Sequence, residues 1–161
     1  MNELTVGQDL VEYGFHHDTS LPTTTTVFRE SEPTVSQTRV FDRVGRLKSI
    51  SATDGTATLF SAEQQIDALN RVTRITLAND HYWDYGYDPM NQVTSGVKRD
   101  ASGTALPGYT FGYGFDTIGN RESATRETTT EAYTPNDLNQ IASSEKFVGG
   151  FRFGKVSHGL E

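Results

Sequence analysis

Apolar and polar residues alternate along several short stretches of the chain, which is the pattern of β-strands. Residues 109–115 read Tyr-Thr-Phe-Gly-Tyr-Gly-Phe, so their aromatic side chains share one face. Residues 83–87 repeat this alternation. Residues 61–69 have a composition that favours a helix, but we predict strand or loop there as well. The pattern therefore predicts an all-β chain.

A short motif recurs between these stretches: an aromatic or aliphatic residue, Asp, two variable residues, and Gly or Asn. It occurs at residues 41–47, 66–72, 87–93 and 115–121, and in a degenerate form at 135–141. Its defining positions are Asp42 with Gly45, Asp67 with Asn70, Asp88 with Asn91, Asp116 with Gly119, and Asn139 in the degenerate copy. The Gly or Asn positions 45, 70, 91, 119 and 139 are 25, 21, 28 and 20 residues apart, which fits one hairpin per repeat.

The chemistry of the motif is that of a turn. An Asp side chain accepts backbone N–H bonds, and Gly or Asn tolerates a positive φ. We therefore interpret the recurring Asp residues as structural. Consecutive antiparallel β-hairpins of this kind predict one sheet, which could close into a small barrel-like body. Because open sheet edges invite pairing, we expect other repeat segments or a second copy of the chain to cover them.

The repeats define three predicted regions. Residues 34–145 form the hairpin repeats, and residues 1–33 form an irregular N-terminal segment or a divergent hairpin. Residues 146–161 form a C-terminal strand or tail, whose final Leu160 and Glu161 fit a cloning scar.

Composition narrows the possible partners. The net charge of −7 and pI of about 5.0 argue against nucleic acid, because binding phosphate requires a basic surface. The chain has no Cys, no signal-peptide pattern at its start, and no apolar run of the roughly 20 residues that span a membrane. The sequence requires no cofactor.

The stretch 109–123, YTFGYGFDTIGNRES, is followed at 133–141 by YTPNDLNQI. These segments resemble the YD-repeat family, also called the RHS (rearrangement hot spot) repeat family, and the likeness covers residues 34–145. The resemblance implies a curved or spiralling sheet, in which β-hairpin strips spiral into a hollow shell and about five repeats would form a part of it. It also implies a bacterial secreted or cell-surface parent, and a scaffold for encapsulation, assembly or surface interaction rather than catalysis.

Two clusters of polar residues suggest that the chain could be an enzyme rather than a scaffold. Asp80, His81 and Asp84 are candidate catalytic residues. In a strand, Asp80 and Asp84 share a face but lie about 13 Å apart. Carboxylates and loop carbonyls could hold calcium, and a bound cation could activate water or polarise a carbonyl. This predicts a small cation-dependent hydrolase of an ester or lactone, such as an acyl-homoserine lactone.

The second cluster, formed by His16, His17 and Asp18, contains candidate metal ligands. On a strand, neighbouring side chains point to opposite faces, so we expect the two histidines not to bind one metal ion easily. Surface charge is the simpler interpretation of this cluster.

A third hypothesis concerns the aromatic face. Trp83 and Tyr85 could stack against a glycan, which would make the chain a carbohydrate-binding module. Large aromatic side chains also supply most of the burial of a thin sheet, so a structural role is the simpler interpretation.

Overall fold

The computed structural model describes residues 2–6, 9–30, 32–138 and 140–157. Within these ranges the chain forms fourteen β-strands and no helix. The all-β prediction is therefore confirmed, and residues 61–69, predicted as strand or loop, form a strand to Ile66 and then a turn. The chain divides into two compact units, Met1–His81 and Tyr82–Glu161.

The first unit consists of antiparallel strands that pair in chain order. They are β1 (Asn2–Val6), β2 (Asp9–Phe15), β3 (Pro22–Arg29), β4 (Glu32–Phe41), β5 (Leu47–Thr53), β6 (Thr58–Ile66) and β7 (Val72–Leu77). Each strand is thus joined to the next as a hairpin, as the repeats predict.

The second unit follows the same plan. Its strands are β8 (Tyr82–Tyr87), β9 (Val93–Arg99), β10 (Ala105–Phe115), β11 (Arg121–Arg126), β12 (Thr129–Pro135), β13 (Ile141–Val148) and β14 (Phe151–Ser157). A register shift lies between Gly114 and Phe115, just before a motif turn. It bends the strand where the chain reverses.

Both units are open sheets one layer thick. Within each unit, the described strands contact only the strands next to them in chain order. The barrel-like alternative is therefore not realised in either unit. Among the described residues, Ala62 is the single buried apolar side chain, and no side chain is fully buried. The described residues of neither unit form a closed hydrophobic core.

The two faces of the first unit differ in chemistry, because residues paired across strands share a face. One face is mostly apolar and carries Val11, Tyr13, Val27, Val35, Ile50, Ala52, Phe60, Ala62, Ile75 and Leu77. The other carries short hydroxyl side chains, including Thr24, Thr26, Ser36, Thr38, Ser49, Ser51, Ser61 and Thr76.

The N-terminal region contains strands. Within residues 1–33, which the sequence predicts as an irregular segment or a divergent hairpin, β2 and β3 pair as antiparallel strands. Tyr13-Gly14-Phe15 resembles Tyr113-Gly114-Phe115, and the register shifts between the Gly and the Phe in both. This match is a sequence signal for the additional hairpin that a search for the Asp-led motif does not find. At the other end, β14 occupies the predicted C-terminal strand, while Leu160 and Glu161 lie outside the described residues.

Candidate functional site

The Asp-led turns have a common hydrogen-bond pattern, which the first copy illustrates. The backbone N–H of Asp42 donates to the carbonyl of Arg46 at 2.9 Å, and the N–H of Gly45 donates to the carbonyl of Asp42 at 3.1 Å. The Oδ1 atom of Asp42 accepts the backbone N–H groups of Val44 and Arg46, each at 3.0 Å. Gly45 has φ of 82°. The Asp side chain thus replaces water at N–H groups that the sheet leaves unpaired.

The later copies repeat this geometry. Oδ1 of Asp67, of Asp88 and of Asp116 each accepts the backbone N–H groups two and four residues further on. The fourth turn position has a positive φ in each: 63° at Asn70, 65° at Asn91 and 95° at Gly119. The predicted position Asn139 lies outside the described residues, although Asn136 caps that turn by accepting the N–H groups of Leu138 and Gln140 at 3.0 Å each.

One turn of this type was missed by sequence reasoning. Asp100 accepts the N–H groups of Ser102 and Thr104 at 2.9 Å each, and Gly103 has φ of 92°. The spacing from Asp to Gly matches the motif, but Arg99 stands where the other copies have an apolar residue. A search for Asp and Gly alone would have found it.

Three of the turn carboxylates, those of Asp42, Asp67 and Asp116, have lowered pKa values. The pKa of Asp42 is lowered chiefly by the backbone N–H of Arg46, and the Arg46 side chain lowers it further against an opposing effect of burial. The pKa of Asp67 is lowered in the same way by Arg71. For Asp116, burial acts to raise the pKa, but the hydrogen bonds from Asn120, Ile118 and Gly119 together outweigh it and the pKa is lowered. The hydrogen bonds that lower these pKa values are the ones that close the turns, which fits a structural role.

The cluster of His16, His17 and Asp18 lies in the turn between β2 and β3. Their possible ligand atoms all lie within 4.8 Å of one another. The imidazole rings of His16 and His17 stack with centroids 4.7 Å apart, and Nε2 of His17 lies 2.6 Å from Oδ2 of Asp18. The expectation that the two histidines diverge was wrong, because it assumed a strand and these residues form a turn.

The candidate catalytic residues belong to different elements. Asp80 lies in the turn after β7 with φ of 61°, and the Leu77 N–H donates to the carbonyl of His81 at 2.8 Å across that turn. Asp84 lies in β8 of the second unit, where its Oδ2 is 3.3 Å from Nε of Arg99. Asp80 therefore does not belong to a strand with Asp84, as the spacing argument assumed. The hydrolase and calcium hypotheses stay predictions.

The aromatic candidates form a half-buried cluster on one face of the second unit. The Trp83 ring is 6.2 Å from Tyr85, 6.0 Å from Tyr109 and 6.0 Å from Phe111, measured between centroids. Burial raises the pKa of Tyr85, with Tyr87 contributing. The cluster supplies ring–ring contacts that stabilise a thin sheet.

Cations lie over the neighbouring rings of this face. Lys98 Nζ is 5.0 Å from the Tyr109 centroid. The guanidinium carbons of Arg121 and Arg126 lie 5.5 Å and 5.6 Å from the Tyr113 and Phe111 centroids, respectively. These cations occupy ring faces on which a sugar would stack. The glycan hypothesis is thereby restricted to Trp83 and Tyr85.

The repeated turns have a counterpart among known protein families. Residues 67–105 match the family described as RHS Repeat. The chain carries an RHS repeat. Comparison with the curated proteins found no match. The described residues also contain no helix with the length and hydropathy needed to cross a membrane.

Solved structures share the fold. The crystal structure of TcdB2-TccC3-Cdc42 is similar, with a TM-score of 0.70 and 18% sequence identity over 85% of this chain. That of TcdB2-TccC3-TEV gives a TM-score of 0.69 and 19% identity over 87% of this chain. The chain spans about 7% of the length of either matched chain. At this identity the likeness concerns the fold.

Proposed function

We propose that this chain is a structural RHS-repeat scaffold segment, which forms part of a wall for assembly, encapsulation or surface interaction and is not itself catalytic. One observation carries the proposal: among the described residues, the first unit is a single layer with a mostly apolar face that nothing within that unit covers. Such a sheet is only part of a folded body, because domains normally bury their apolar faces between two layers.

Large apolar side chains on this face are exposed to solvent. Phe60 lies on the apolar face of the first unit and is 46% exposed, and Val27 on the same face is 38% exposed. Burial of apolar surface contributes about 25 cal/mol per Å². A wall that encloses other polypeptide, or that packs against further repeats, would recover this free energy.

The strand edges support the same role. Among the described residues, β1 pairs only with β2 in the first unit, and β14 pairs only with β13 in the second. Their free backbone groups are templates for further strands. We propose that further repeat segments, or a second copy of the chain, supply those strands. The RHS resemblance and the matched folds support a bacterial secreted or cell-surface parent.

The experiment that tests the proposal compares two substitutions on adjacent residues of β6. Phe60 belongs to the apolar face and Ser61 to the hydroxyl-bearing face. Phe60→Lys and Ser61→Lys add the same charge at neighbouring positions. The readouts are the concentration dependence of mass in light scattering and the fluorescence of a dye that binds exposed apolar surface.

We expect the unaltered chain to associate and to bind the dye. Phe60→Lys should reduce both signals severalfold, whereas Ser61→Lys should leave them unchanged. A monomer that does not bind the dye would contradict the proposal, as would an equal effect of the two substitutions. Hydrolysis of ester or lactone substrates that a chelator abolishes would favour the enzymatic alternative instead.

A further inference from the structure

The turn between β2 and β3 departs from the other motif turns at its first position. His16 follows Phe15, in the place where the motif has Asp. Its Nδ1 atom accepts the backbone N–H of Asp18 at 3.3 Å, as the Oδ1 atom of Asp42 accepts that of Val44 at 3.0 Å. The imidazole therefore takes over the capping role of the carboxylate, with a longer and weaker bond.

This turn is also one residue longer. The N–H of His16 donates to the carbonyl of Leu21 at 2.9 Å, whereas that of Asp42 donates to a residue four positions on. His17 and Asp18 lie in the exposed part of the turn. Their side chains are 79% and 70% exposed, respectively. Three consecutive side chains thus project from one short loop whose backbone is closed by hydrogen bonds.

We propose that His16, His17 and Asp18 bind a divalent metal ion of the zinc class. Two imidazoles and one carboxylate match the donor set that Zn²⁺ takes in proteins, with water completing the tetrahedron. The same donors suit Co²⁺, Ni²⁺ and Cu²⁺, whereas calcium prefers six to eight oxygen ligands. The ion held here is therefore of a different class from the calcium of the hydrolase hypothesis.

The geometry requires only a small adjustment. Ligand atoms around a tetrahedral Zn²⁺ lie about 3.3 Å apart, given bond lengths near 2.0 Å, and the atoms of this cluster lie within 4.8 Å. Because His17 and Asp18 are mostly exposed, rotation of their side chains can close the difference. Nε2 of His17 already lies 2.6 Å from Oδ2 of Asp18.

His16 has two ways to bind the ion. Coordination through Nδ1 replaces the bond from the Asp18 N–H, and coordination through Nε2 requires a proton on Nδ1, which also removes that bond. Either mode therefore loses one long hydrogen bond and gains a metal bond. The net charge of −7 also favours the approach of a cation. Because the site is local to one turn, the inference does not rest on the scaffold role.

The experiment is a calorimetric titration of the full chain with Zn²⁺ alone, repeated with each variant. We expect saturable binding of one ion per chain. His17→Ala and His16→Ala should each weaken it by at least about tenfold, since even loss of a group supporting a ligand has an effect of this size. Asp18→Asn should weaken it as well. His81→Ala and His158→Ala, which change the two histidines outside the turn, should not.

His17→Ala is the decisive variant, because His16 also caps the turn and its loss could disturb the hairpin. The absorption spectrum of bound Co²⁺ provides a second readout, since nitrogen ligation changes it and adventitious binding by carboxylates does not. Absence of saturable Zn²⁺ binding in the unaltered chain would refute the proposal. So would an unchanged affinity in His17→Ala, or an equal loss in His81→Ala.

Discussion

Nη1 of Arg46 lies 2.6 Å from Oδ1 of Asn70, and so joins two successive motif turns that are 24 residues apart in the chain. The same guanidinium donates from Nε to Oδ2 of Asp42 at 2.6 Å. One side chain therefore closes its own turn and contacts the next. In the second unit, Nε2 of Gln92 donates to the carbonyl of Gly119 at 3.4 Å, across 27 residues. The residue after the Gly or Asn position is thus the link between turns.

The first prediction tests this link. Arg46→Ala and Asn70→Ala should each destabilise the first unit, and the double variant should lose less than their sum. We expect a coupling free energy of about 0.5 kcal/mol, the size found for exposed charged pairs. Urea unfolding of the four proteins measures it. Arg43→Ala removes an exposed arginine from the same turn and is the matched control for loss of charge. If the loss of stability in the double variant equals the sum of the two single losses, the link is contradicted.

The turns could be predicted from the sequence because their chemistry is local. Asp42 and Gly45 lie within four residues of each other, and both have side-chain requirements that a turn imposes. The contact from Arg46 to Asn70 could not be predicted, because it depends on the register of the strands between them. The fold class and the hairpin order were therefore predicted, whereas the contacts between successive motif turns were not.

At the candidate metal site, the sequence indicated the residues but not their arrangement. The residues were identified, but their geometry was predicted wrongly because His16 and His17 were treated as part of a strand. The hairpin of β2 and β3 does not match the motif, because His16 stands where the motif has Asp. The Tyr13-Gly14-Phe15 segment was the better signal, because Gly14 lies opposite Thr24 just as Gly114 lies opposite Ser123.

The second prediction concerns acid. The pKa values of Asp42 and Asp67 are lowered from 3.8, chiefly by the backbone N–H groups of Arg46 and Arg71. A lowered pKa in the folded chain means that the carboxylates stabilise it above the unfolded pKa, and that this stabilisation is lost as the pH falls through the folded pKa. We therefore expect the urea midpoint to fall below about pH 4.

The double variant Asp42→Asn, Asp67→Asn tests whether these two carboxylates cause the loss of stability in acid. It should have a lower urea midpoint near neutral pH and a shallower decrease on acidification, because the amide oxygens accept N–H bonds but do not titrate. The charge-matched control is Glu30→Gln with Glu32→Gln, which removes two exposed carboxylates outside the motif turns. An identical acid response in the unaltered chain and the Asp double variant would count against the turn carboxylates as its source.

The third prediction separates backbone strain from packing. Gly45 has φ of 82°, and an added Cβ would lie 3.7 Å from Cδ1 of Leu21, so there is space for a methyl group. Gly45→Ala should nevertheless destabilise the first unit by about 1 kcal/mol, because a left-handed conformation is unfavourable for residues with a Cβ. Thermal unfolding measures this difference.

Gly112→Ala is the matched control in the second unit. Its added Cβ would also lie 3.7 Å from the nearest atom, Cβ of Thr125, but Gly112 lies in β10 and lacks the positive φ of Gly45. We expect no destabilisation, since alanine reduces the entropy of the unfolded chain relative to glycine. Equal losses in the two variants would show that volume, rather than backbone conformation, decides the outcome at Gly45.

The fourth prediction decides between the structural and glycan-binding interpretations of Trp83. Removing the ring eliminates its contacts with Tyr85, Tyr109 and Phe111. Trp83→Ala should therefore destabilise the second unit by about 2 kcal/mol, less than the 3–5 kcal/mol of a fully buried tryptophan because this one is half-buried. Trp83→Phe should retain most of the stability. Differential scanning calorimetry provides the measurement, and a glycan array with all three proteins provides the comparison. An unchanged unfolding transition in Trp83→Ala, together with loss of binding to a specific glycan, would assign the ring to sugar recognition instead.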